Sequence, residues 1–174
     1  MAAGAGTSLK YMILTCCIAF FAACGYRFSG GGDLPAGVES LAIETFKNRT
    51  GEIGIESIIT NDITYEFTRT AKSDMSDRDE AEAVLTGEIT SARSSTISHV
   101  TAQTTGERRI TVNVNVKLED SSGEVLWSAS DISASEEYDA SGDKLASEQN
   151  KKSAIAKLSG RLAERIYYRM TDDF

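Results

Sequence analysis

The chain has 174 residues, a length typical of one domain, and a formal net charge of −8 from 18 basic and 26 acidic residues. This acidic balance argues against binding along a nucleic-acid backbone, which requires clustered Lys and Arg. A single histidine excludes any zinc site that needs two imidazoles from this chain. All three cysteines lie within the first 24 residues, so their positions bear on where the protein is located.

An uncharged apolar run, residues 11–23, follows the first charged side chain of the sequence, Lys10. As a helix the run would be about 20 Å long, which is shorter than the 30 Å hydrocarbon core of a bilayer. We therefore predict a signal peptide over residues 1–23. The alternative, a buried first helix of the fold, is disfavoured because a glycine-rich polar stretch follows immediately.

The run ends in Phe21-Ala22-Ala23-Cys24, which resembles the bacterial lipobox, with Phe21 where leucine is usual. The resemblance implies diacylglycerol on the Cys24 sulfur and an acyl chain such as palmitate on its amine, and no other cofactor. Several acyl chains on one residue give stable membrane anchoring. The alternative is ordinary signal cleavage that leaves a free thiol. Gly25 favours the outer membrane, because retention in the inner membrane is associated with Asp at this position.

Cleavage before Cys24 would also change the composition. Loss of Lys10 would shift the net charge from −8 to −9, and Cys16 and Cys17 would be lost with the signal peptide. Acylation of Cys24 would then leave no thiol for a disulfide, a metal or a nucleophile. We expect the mature domain to be stabilised by core burial alone.

The polar stretch after Cys24 is predicted to be a linker. Residues 24–37 would form the lipidated N-terminus and a flexible tether, because three glycines follow one another at 30–32. No Gly-Lys-Ser/Thr follows these glycines and no predicted strand precedes them, which excludes a phosphate-binding loop. The remaining residues, 38–174, are predicted to form a single periplasmic domain.

The first half of the domain is predicted to contain a strand, a helix and a second strand. Residues 38–46 have the composition of a strand and end at a polar turn. Between about residues 52 and 71 an apolar residue recurs every four positions, which is typical of one helix face. Residues 72–82 are acidic and predict a solvated loop. Apolar residues alternate over 83–89, which predicts the second strand.

The second half is predicted to contain a hairpin and a long helix. Residues 90–106 are rich in Ser and Thr and predict a long hairpin tip or a mobile loop. Strict alternation over 110–118 predicts a strand with one buried face. A turn at 120–123 leads into a partner strand that ends at about residue 136, with Trp127 as its largest apolar anchor.

A polar loop at 139–143 precedes the last predicted helix, over about 147–170, whose apolar residues form one stripe. The predicted order is β-α-β-β-β-α, with no internal repeat. We therefore predict an α/β (α+β) two-layer sandwich, in which two helices pack on one face of a four-stranded sheet.

Catalytic chemistry is not indicated. The carboxylates of residues 72–82 lie in a polar segment, unlike the apolar pocket that a catalytic acid needs. His99 lies among Ser and Thr without a cue for a nucleophile and base. The chain contains no Walker loop, HExxH sequence or nucleophile elbow. We therefore predict no enzymatic activity, no catalytic residues and no metal site.

Basic side chains are the candidates for anion contact. Lys157, Arg161 and Arg165 recur on one face of the last helix near Tyr168, a ridge suited to the phosphates of a lipid or to an acidic partner. The alternative is an ordinary solvated face in which Arg161 pairs locally with Glu164. Three further candidates, for each of which the alternative is a solvated charge, are Arg108, Arg109 and Lys144.

Short motifs are distributed over nearly the whole mature chain. In chain order they are Cys24-Gly25-Tyr26, Leu34-Pro35, Ile43 and Phe46, Asn48-Arg49-Thr50, the AVLTGEI strand at 83–89, Arg109, Gly123-Glu124-Val125-Leu126-Trp127, and Tyr138. This ordered set resembles the lipopolysaccharide-assembly lipoprotein family, LptE. The resemblance implies a subunit that makes and breaks no bond. Such a subunit plugs the lumen of an LptD-type outer-membrane β-barrel, supports barrel assembly, and contacts lipopolysaccharide on its way to the outer leaflet.

The resemblance also implies that basic residues near the hairpin and before the last helix contact lipopolysaccharide. Residues 98–106 contain no Lys or Arg, so Lys144 is the leading candidate, followed by Arg108 and Arg109. The implied partners are the barrel, lipopolysaccharide, and the membrane through the lipid anchor, with the domain facing the periplasm inside the barrel lumen. Two alternatives stay open: an unrelated outer-membrane lipoprotein that binds a periplasmic ligand or envelope polymer, and a lipid-anchored hydrolase that uses His99.

Overall fold

The computed structural model describes residues 32–97, 106–140 and 143–172. The strands are β1 (Ser40–Ile43), β2 (Lys47–Asn48), β3 (Asp74–Met75), β4 (Ala83–Thr96), β5 (Glu107–Asp120) and β6 (Val125–Asp139). The helices are α1 (Ile55–Thr70) and α2 (Lys144–Thr171), and a short 3-10 turn covers Pro35–Gly37. Neither α-helix combines the length and apolarity that crossing a membrane requires.

The three long strands form the antiparallel part of one sheet. β5 lies between β4 and β6, so β6 forms one edge. β1 is parallel to β4, as expected for two strands joined by a helical crossover, and β3 is parallel to β1 at the other edge. β2 also pairs with β4, further along that strand, which completes a six-stranded sheet.

The predicted α+β class with two helices is confirmed, but the sheet has six strands rather than four. The predicted first strand, 38–46, is divided into β1 and β2. Between them the backbone N–H of Phe46 donates to Thr60 Oγ1 of α1 at 3.0 Å, rather than to a neighbouring strand. The predicted loop at 72–82 contains β3, whose Asp74 N–H donates to the Glu39 carbonyl. The observed order is therefore β-β-α-β-β-β-β-α.

The hairpin strands are longer than predicted. β4 continues to Thr96 and β5 begins at Glu107, although this part was predicted to be loop. A register shift occurs between Ile89 and Ser91. After it, the even-numbered rather than the odd-numbered residues of β4 face the core, so the alternation of apolar and polar residues is interrupted in the sequence. The rest of the predicted tip, residues 98–105 with His99, lies outside the described residues.

The last helix begins at Lys144, before the predicted start at about residue 147. Asp143 is its N-cap, and its side chain accepts a hydrogen bond from the Leu145 N–H at 2.8 Å. Lys144 was predicted to lie in the loop before this helix. It lies instead in the first turn of α2.

Both helices and alternate residues of the long strands share one hydrophobic core. In β5 the buried residues occupy every second position; they are Ile110, Val112, Val114, Val116 and Leu118. The two helices therefore cover the same face of the sheet, as predicted. The other face is polar, apart from a small buried cluster of Ala42, Ala81 and Val84.

The described part of the predicted tether, residues 32–37, is packed against the domain. Leu34 is 4% exposed and belongs to the core. The Gly32 N–H donates to the Tyr167 hydroxyl at 2.9 Å, and Asp33 pairs with Lys72 at 2.9 Å. The fold therefore begins before residue 38. The predicted signal peptide and Cys24 lie in residues 1–31, outside the described residues.

Candidate functional site

Two predicted anion contacts, Arg108 and Lys144, lie at the same end of the molecule. We call it the hairpin end: the outer ends of β4, β5 and β6 and the first turn of α2. Arg108 is opposite Tyr138 in the β5–β6 register. Lys144 is the first residue of α2, and the Asn150 side chain holds this part of the helix to β6 by donating to the Asp139 carbonyl at 2.9 Å.

The backbone at the hairpin end is well paired. The Ala140 N–H donates to the Gly106 carbonyl at 2.9 Å, and the Ile97 N–H donates to the Glu107 carbonyl at 3.0 Å. Tyr138 is 7% exposed, and its hydroxyl donates to Ser94 Oγ at 3.1 Å. Tyr138 therefore connects β6 to β4 across β5, and the backbone that carries Arg108 lies in a well-paired part of the sheet.

The charges of Arg108 and Lys144 are not neutralised within the described ranges. Both side chains are exposed, and neither has an ion-pair or hydrogen-bond partner among those residues. Arg109 differs, because it lies on the other face of β5 and pairs with Glu137 across the strands at 2.5 Å. An added anion would meet an uncompensated cation at Arg108 or at Lys144, whereas at Arg109 it would compete with a carboxylate.

The predicted basic ridge on α2 lies against β6, away from Arg108 and Lys144, which we call the hairpin-end pair. Arg161 Nη2 donates to the Ser135 carbonyl at 2.6 Å and to the Glu136 carboxylate at 2.5 Å. Arg165 donates to the Ser133 carbonyl, and Lys157 Nζ lies 3.9 Å from Glu136 Oε1.

These contacts cover the outer edge of the sheet. β6 is an edge strand, so carbonyls that point away from β5 would otherwise face solvent. The two guanidinium groups occupy part of this row. The expected alternative, a local Arg161–Glu164 pair, is replaced by the pair with Glu136. Spacing along one helix predicts pairs within that helix and does not identify a partner on another element.

Asn48, which the sequence singled out only as part of a motif, organises the turn between β2 and α1. Its Nδ2 donates to the Glu52 carbonyl and to Glu56 Oε2, both at 2.8 Å. Its Oδ1 accepts from the backbone N–H and the hydroxyl of Thr50, both at 2.8 Å. The Asn-Arg-Thr motif therefore has a structural role here, typical of Asn in turns.

Lys151 joins the N-terminal parts of the two helices. Its ammonium contacts Glu52, just before α1, at 2.9 Å, and Glu148 at 3.1 Å. Burial lowers the pKa of Lys151, but the hydrogen bonds with the two carboxylates outweigh burial, so the pKa lies above its ordinary value of 10.5. The side chain is 15% exposed, and the group is a structural clamp.

A polar cleft of about 670 Å³ lies on the sheet face that the helices leave uncovered. Its charges are balanced, with three cations and three carboxylates; they are Lys47, Arg78, Lys117, Glu44, Glu88 and Glu119. Arg78 pairs with Glu44, and Lys117 with Glu119. Within the described ranges no group of His, Cys, Asp and Glu side chains is arranged to hold a metal ion. The cleft contains none of the predicted site residues.

Comparisons with known proteins add the following findings. The family model described as LptE: Lipopolysaccharide-assembly matches residues 38–170. Among curated protein sequences there is no significant match.

Two solved lipoproteins resemble this chain in fold. A minor lipoprotein from Acinetobacter baumannii has a TM-score of 0.52 and 15% identity, and the match covers 78% of this chain and 92% of that one. Uncharacterized lipoprotein B from Nitrosomonas europaea has a TM-score of 0.54 and 16% identity, over 86% of this chain and 92% of that one. At such identities these structures support the fold alone.

Proposed function

Because the chain belongs to the LptE family, a non-enzymatic family of lipopolysaccharide-assembly lipoproteins in the Gram-negative envelope, we propose that it plugs an LptD-type β-barrel and assists its assembly. It takes part in lipopolysaccharide transport to the outer membrane. After removal of residues 1–23, acyl chains on Cys24 anchor it to that membrane. The domain faces the periplasm, within the barrel lumen. The family match over residues 38–170 is the observation that carries this proposal.

The hairpin-end pair supports direct contact with lipopolysaccharide phosphates. Arg108 and Lys144 come from separate elements, are exposed, and lack carboxylate partners among the described residues. A phosphate that reaches them gains charge-assisted hydrogen bonds without breaking an ion pair. We assign the lipopolysaccharide contact to these two residues. Arg109, Lys157, Arg161 and Arg165 are not assigned to this contact, because each already contacts β6.

The covered edge of β6 is also consistent with a role in barrel assembly, because it would not pair with the strands of an incomplete barrel. A barrel that has not closed presents unpaired strands, and a free sheet edge on its partner would add to them. In β6 the guanidinium groups of Arg161 and Arg165 occupy backbone carbonyls that such an addition would use. At this edge the domain therefore contacts the barrel through side chains and does not contribute a strand to it.

Purification from outer membranes in mild detergent tests the barrel partnership. We expect a large β-barrel to co-purify, and a photo-crosslinker at Ser95 or Arg93, in the hairpin part of β4, to react with the barrel's inner wall. A crosslinker at Asp172, which follows the last turn of α2 and lies away from the hairpin end, is the matched control. Recovery of the lipoprotein without a barrel would contradict the proposal and favour a lipoprotein that binds a periplasmic ligand or envelope polymer.

Removal of both hairpin-end charges tests the lipopolysaccharide contact. In the Arg108→Gln/Lys144→Gln variant we expect lipopolysaccharide binding at low salt to weaken by about tenfold per lost phosphate contact. The Arg93→Gln/Lys152→Gln variant changes the net charge equally at two other exposed positions and should retain most of the binding. Equal losses in the two variants would show that net charge, and not this pair, governs binding.

A further inference from the structure

The C-terminal ends of both helices meet at the opposite end of the molecule, which we call the helix end. Phe67, near the end of α1, packs edge-on against Tyr167, near the end of α2, with ring centroids 5.3 Å apart. The Tyr167 hydroxyl also donates to the Thr70 carbonyl at 3.1 Å. Since α2 has 28 residues, the hairpin end and the helix end are separated by about 42 Å.

The polypeptide enters the described domain at the helix end. The Gly32 N–H donates to the Tyr167 hydroxyl. A Cβ at Gly32 would lie 2.4 Å from Thr171 Cβ, so the backbone is pressed against the last turn of α2. Cys24 precedes Gly32 by eight residues, and eight residues span at most about 29 Å. Acyl chains on Cys24 would therefore hold the helix end within this distance of the membrane.

Arginine and tyrosine side chains are concentrated at the helix end. Tyr65 and Tyr168 are 67% and 53% exposed. The Arg69 guanidinium lies 6.0 Å from the centre of the Tyr65 ring. Arg165 and Arg169 line a shallow depression together with Tyr168. These five residues, Tyr65, Arg69, Arg165, Tyr168 and Arg169, form what we call the helix-end patch.

The charge of the patch is only partly compensated. Arg165 donates to a neutral carbonyl, and Arg169 has no partner among the described residues. Arg69 pairs with Glu66 at 2.7 Å, and Glu164 lies in the same depression as Arg165.

Interaction with the helix dipole accounts for arginines in the last turns of α1 and α2. It does not account for two largely exposed tyrosines beside them. Tyr is enriched where a protein meets the headgroup region of a membrane, and Arg binds phosphate there.

We propose that the helix-end patch docks on the phospholipid headgroups of the membrane that holds the Cys24 anchor. The arginines contact lipid phosphates, and the tyrosine rings lie at headgroup level. The remainder of this acidic domain has a net negative charge and is repelled by an anionic surface, and the entry of the chain at the helix end favours this end over the cations of the hairpin end. The proposal rests on the acylation of Cys24, and is independent of the barrel and of lipopolysaccharide. It places Arg108 and Lys144 about 40 Å from the anchoring leaflet.

Spin labels on the lipidated, full-length mature protein in vesicles test this orientation. The vesicles contain phosphatidylethanolamine and phosphatidylglycerol at three to one. The mature chain has no other thiol once Cys24 is acylated, so one introduced cysteine takes the label. We expect a label at Thr68→Cys, next to the patch, to be shielded from a water-soluble nickel relaxant. A label at Ser153→Cys, in the first half of α2 and away from the helix end, should stay accessible. Equal accessibility of the two labels would overturn the proposal.

Charge variants test the contact itself. The Arg69→Gln/Arg165→Gln/Arg169→Gln variant should lose the shielding at Thr68→Cys. Each arginine is expected to change the ratio of docked to undocked protein by about fivefold. The Lys47→Gln/Arg93→Gln/Lys152→Gln variant removes the same charge elsewhere and should keep the shielding. The single Arg169→Gln change breaks no hydrogen bond or ion pair among the described residues. It therefore controls for misfolding of the triple variant, and it should itself reduce shielding. Unchanged shielding in both arginine variants would overturn the proposal.

The outcome is separable from that of the proposed function. The mass of the purified protein shows directly whether Cys24 is acylated. Without acylation the premise fails and the proposal falls with it. Loss of barrel co-purification, in contrast, contradicts the proposed function and leaves the vesicle measurement unaffected, since the vesicles contain neither barrel nor lipopolysaccharide.

Discussion

Gly87 and Phe46 show how closely single residues determine this core. A Cβ added at Gly87 would lie 2.2 Å from Phe46 Cε2, and the Phe46 ring is 1% exposed. Because the ring has no space to move into, we expect Gly87→Ala to lower the free energy of unfolding by about 1–3 kcal/mol, the usual cost of overpacking. Urea denaturation measures this loss.

Two controls accompany that measurement. At Gly51 an added Cβ would meet nothing within 4 Å, so Gly51→Ala should change the unfolding free energy little. A smaller side chain, Phe46→Leu, should recover part of the loss in the double variant, since the two residues share one volume. Fully additive losses would show that the Gly87 and Phe46 positions are independent.

Asn48 is the second position at which one side chain holds a local structure. Replacement by Ala removes all four hydrogen bonds of the amide, which hold the turn before α1 together. We expect Asn48→Ala to lower the free energy of unfolding by about 1–3 kcal/mol. Asn61→Ala, at an exposed position of α1, is the matched control for thermal and chemical denaturation. Similar midpoints for both variants would contradict the role assigned to Asn48.

At the scale of elements, α2 both covers the core and closes the edge of β6. We expect Arg161→Gln/Arg165→Gln to leave carbonyls of Ser133 and Ser135 exposed and to increase self-association through β6. Sedimentation velocity over a range of concentrations measures this increase. Lys157→Gln, which removes only a 3.9 Å contact with Glu136, should remain at the wild-type association state. A monomeric double variant would show that β6 is protected by other means.

The pairing of α1 with α2 has a predictable pH dependence. The pKa of Lys151 is raised above 10.5, since two carboxylates outweigh its burial, and burial raises the pKa of Tyr167 above 10.0. The folded state therefore retains both protons at pH values where the unfolded chain loses them. The resulting stability is complete below about pH 10 and is lost as the pH rises further.

Thermal midpoints between about pH 8 and pH 11.5 test this dependence. We expect a decline above pH 10, and a shallower decline in Lys151→Gln and in Tyr167→Phe, because each variant removes one of the titrating groups. A wild-type midpoint that stays constant through this range would contradict the assignment.

At the scale of the whole molecule, the fold extends into the segment that precedes the predicted domain. A mature chain shortened to begin at Val38 loses the buried Leu34, the Gly32–Tyr167 hydrogen bond and the Asp33–Lys72 pair. We expect it to be less stable by about 2–5 kcal/mol, and Leu34→Ala in the full mature chain to reproduce most of this loss. Chemical denaturation of the two proteins measures both effects, and equal stability of shortened and full chains would contradict them.

The sequence predicted the elements that carry their own periodic signal. Both helices and the alternating strand at 110–118 were placed correctly, because burial imposes the pattern of apolar residues directly. The two-residue strands β2 and β3 carry no such signal, since they exist only through hydrogen bonds to β4 and β1.

The candidate site divides in the same way. Basic residues could be identified from the sequence, but their availability depends on partners in other elements. Arg161 and Arg165 contact β6, which is an edge only in the assembled sheet. Arg108 and Lys144 lie far apart in sequence, and the pairing of β5 with β6 brings them to one end. Whether they contact lipopolysaccharide stays a prediction.

The length of the hairpin has a mechanical consequence. β4 and β5 each have 14 residues and are about 48 Å long, twice the 24 Å of α1. With the proposed anchor at the helix end, a pull between that end and a partner that holds the hairpin end would act along the strands. The ladder hydrogen bonds then carry the load together, in shear, and are not peeled apart one at a time. A force along the strands therefore meets more resistance than a force that opens the hairpin from its tip.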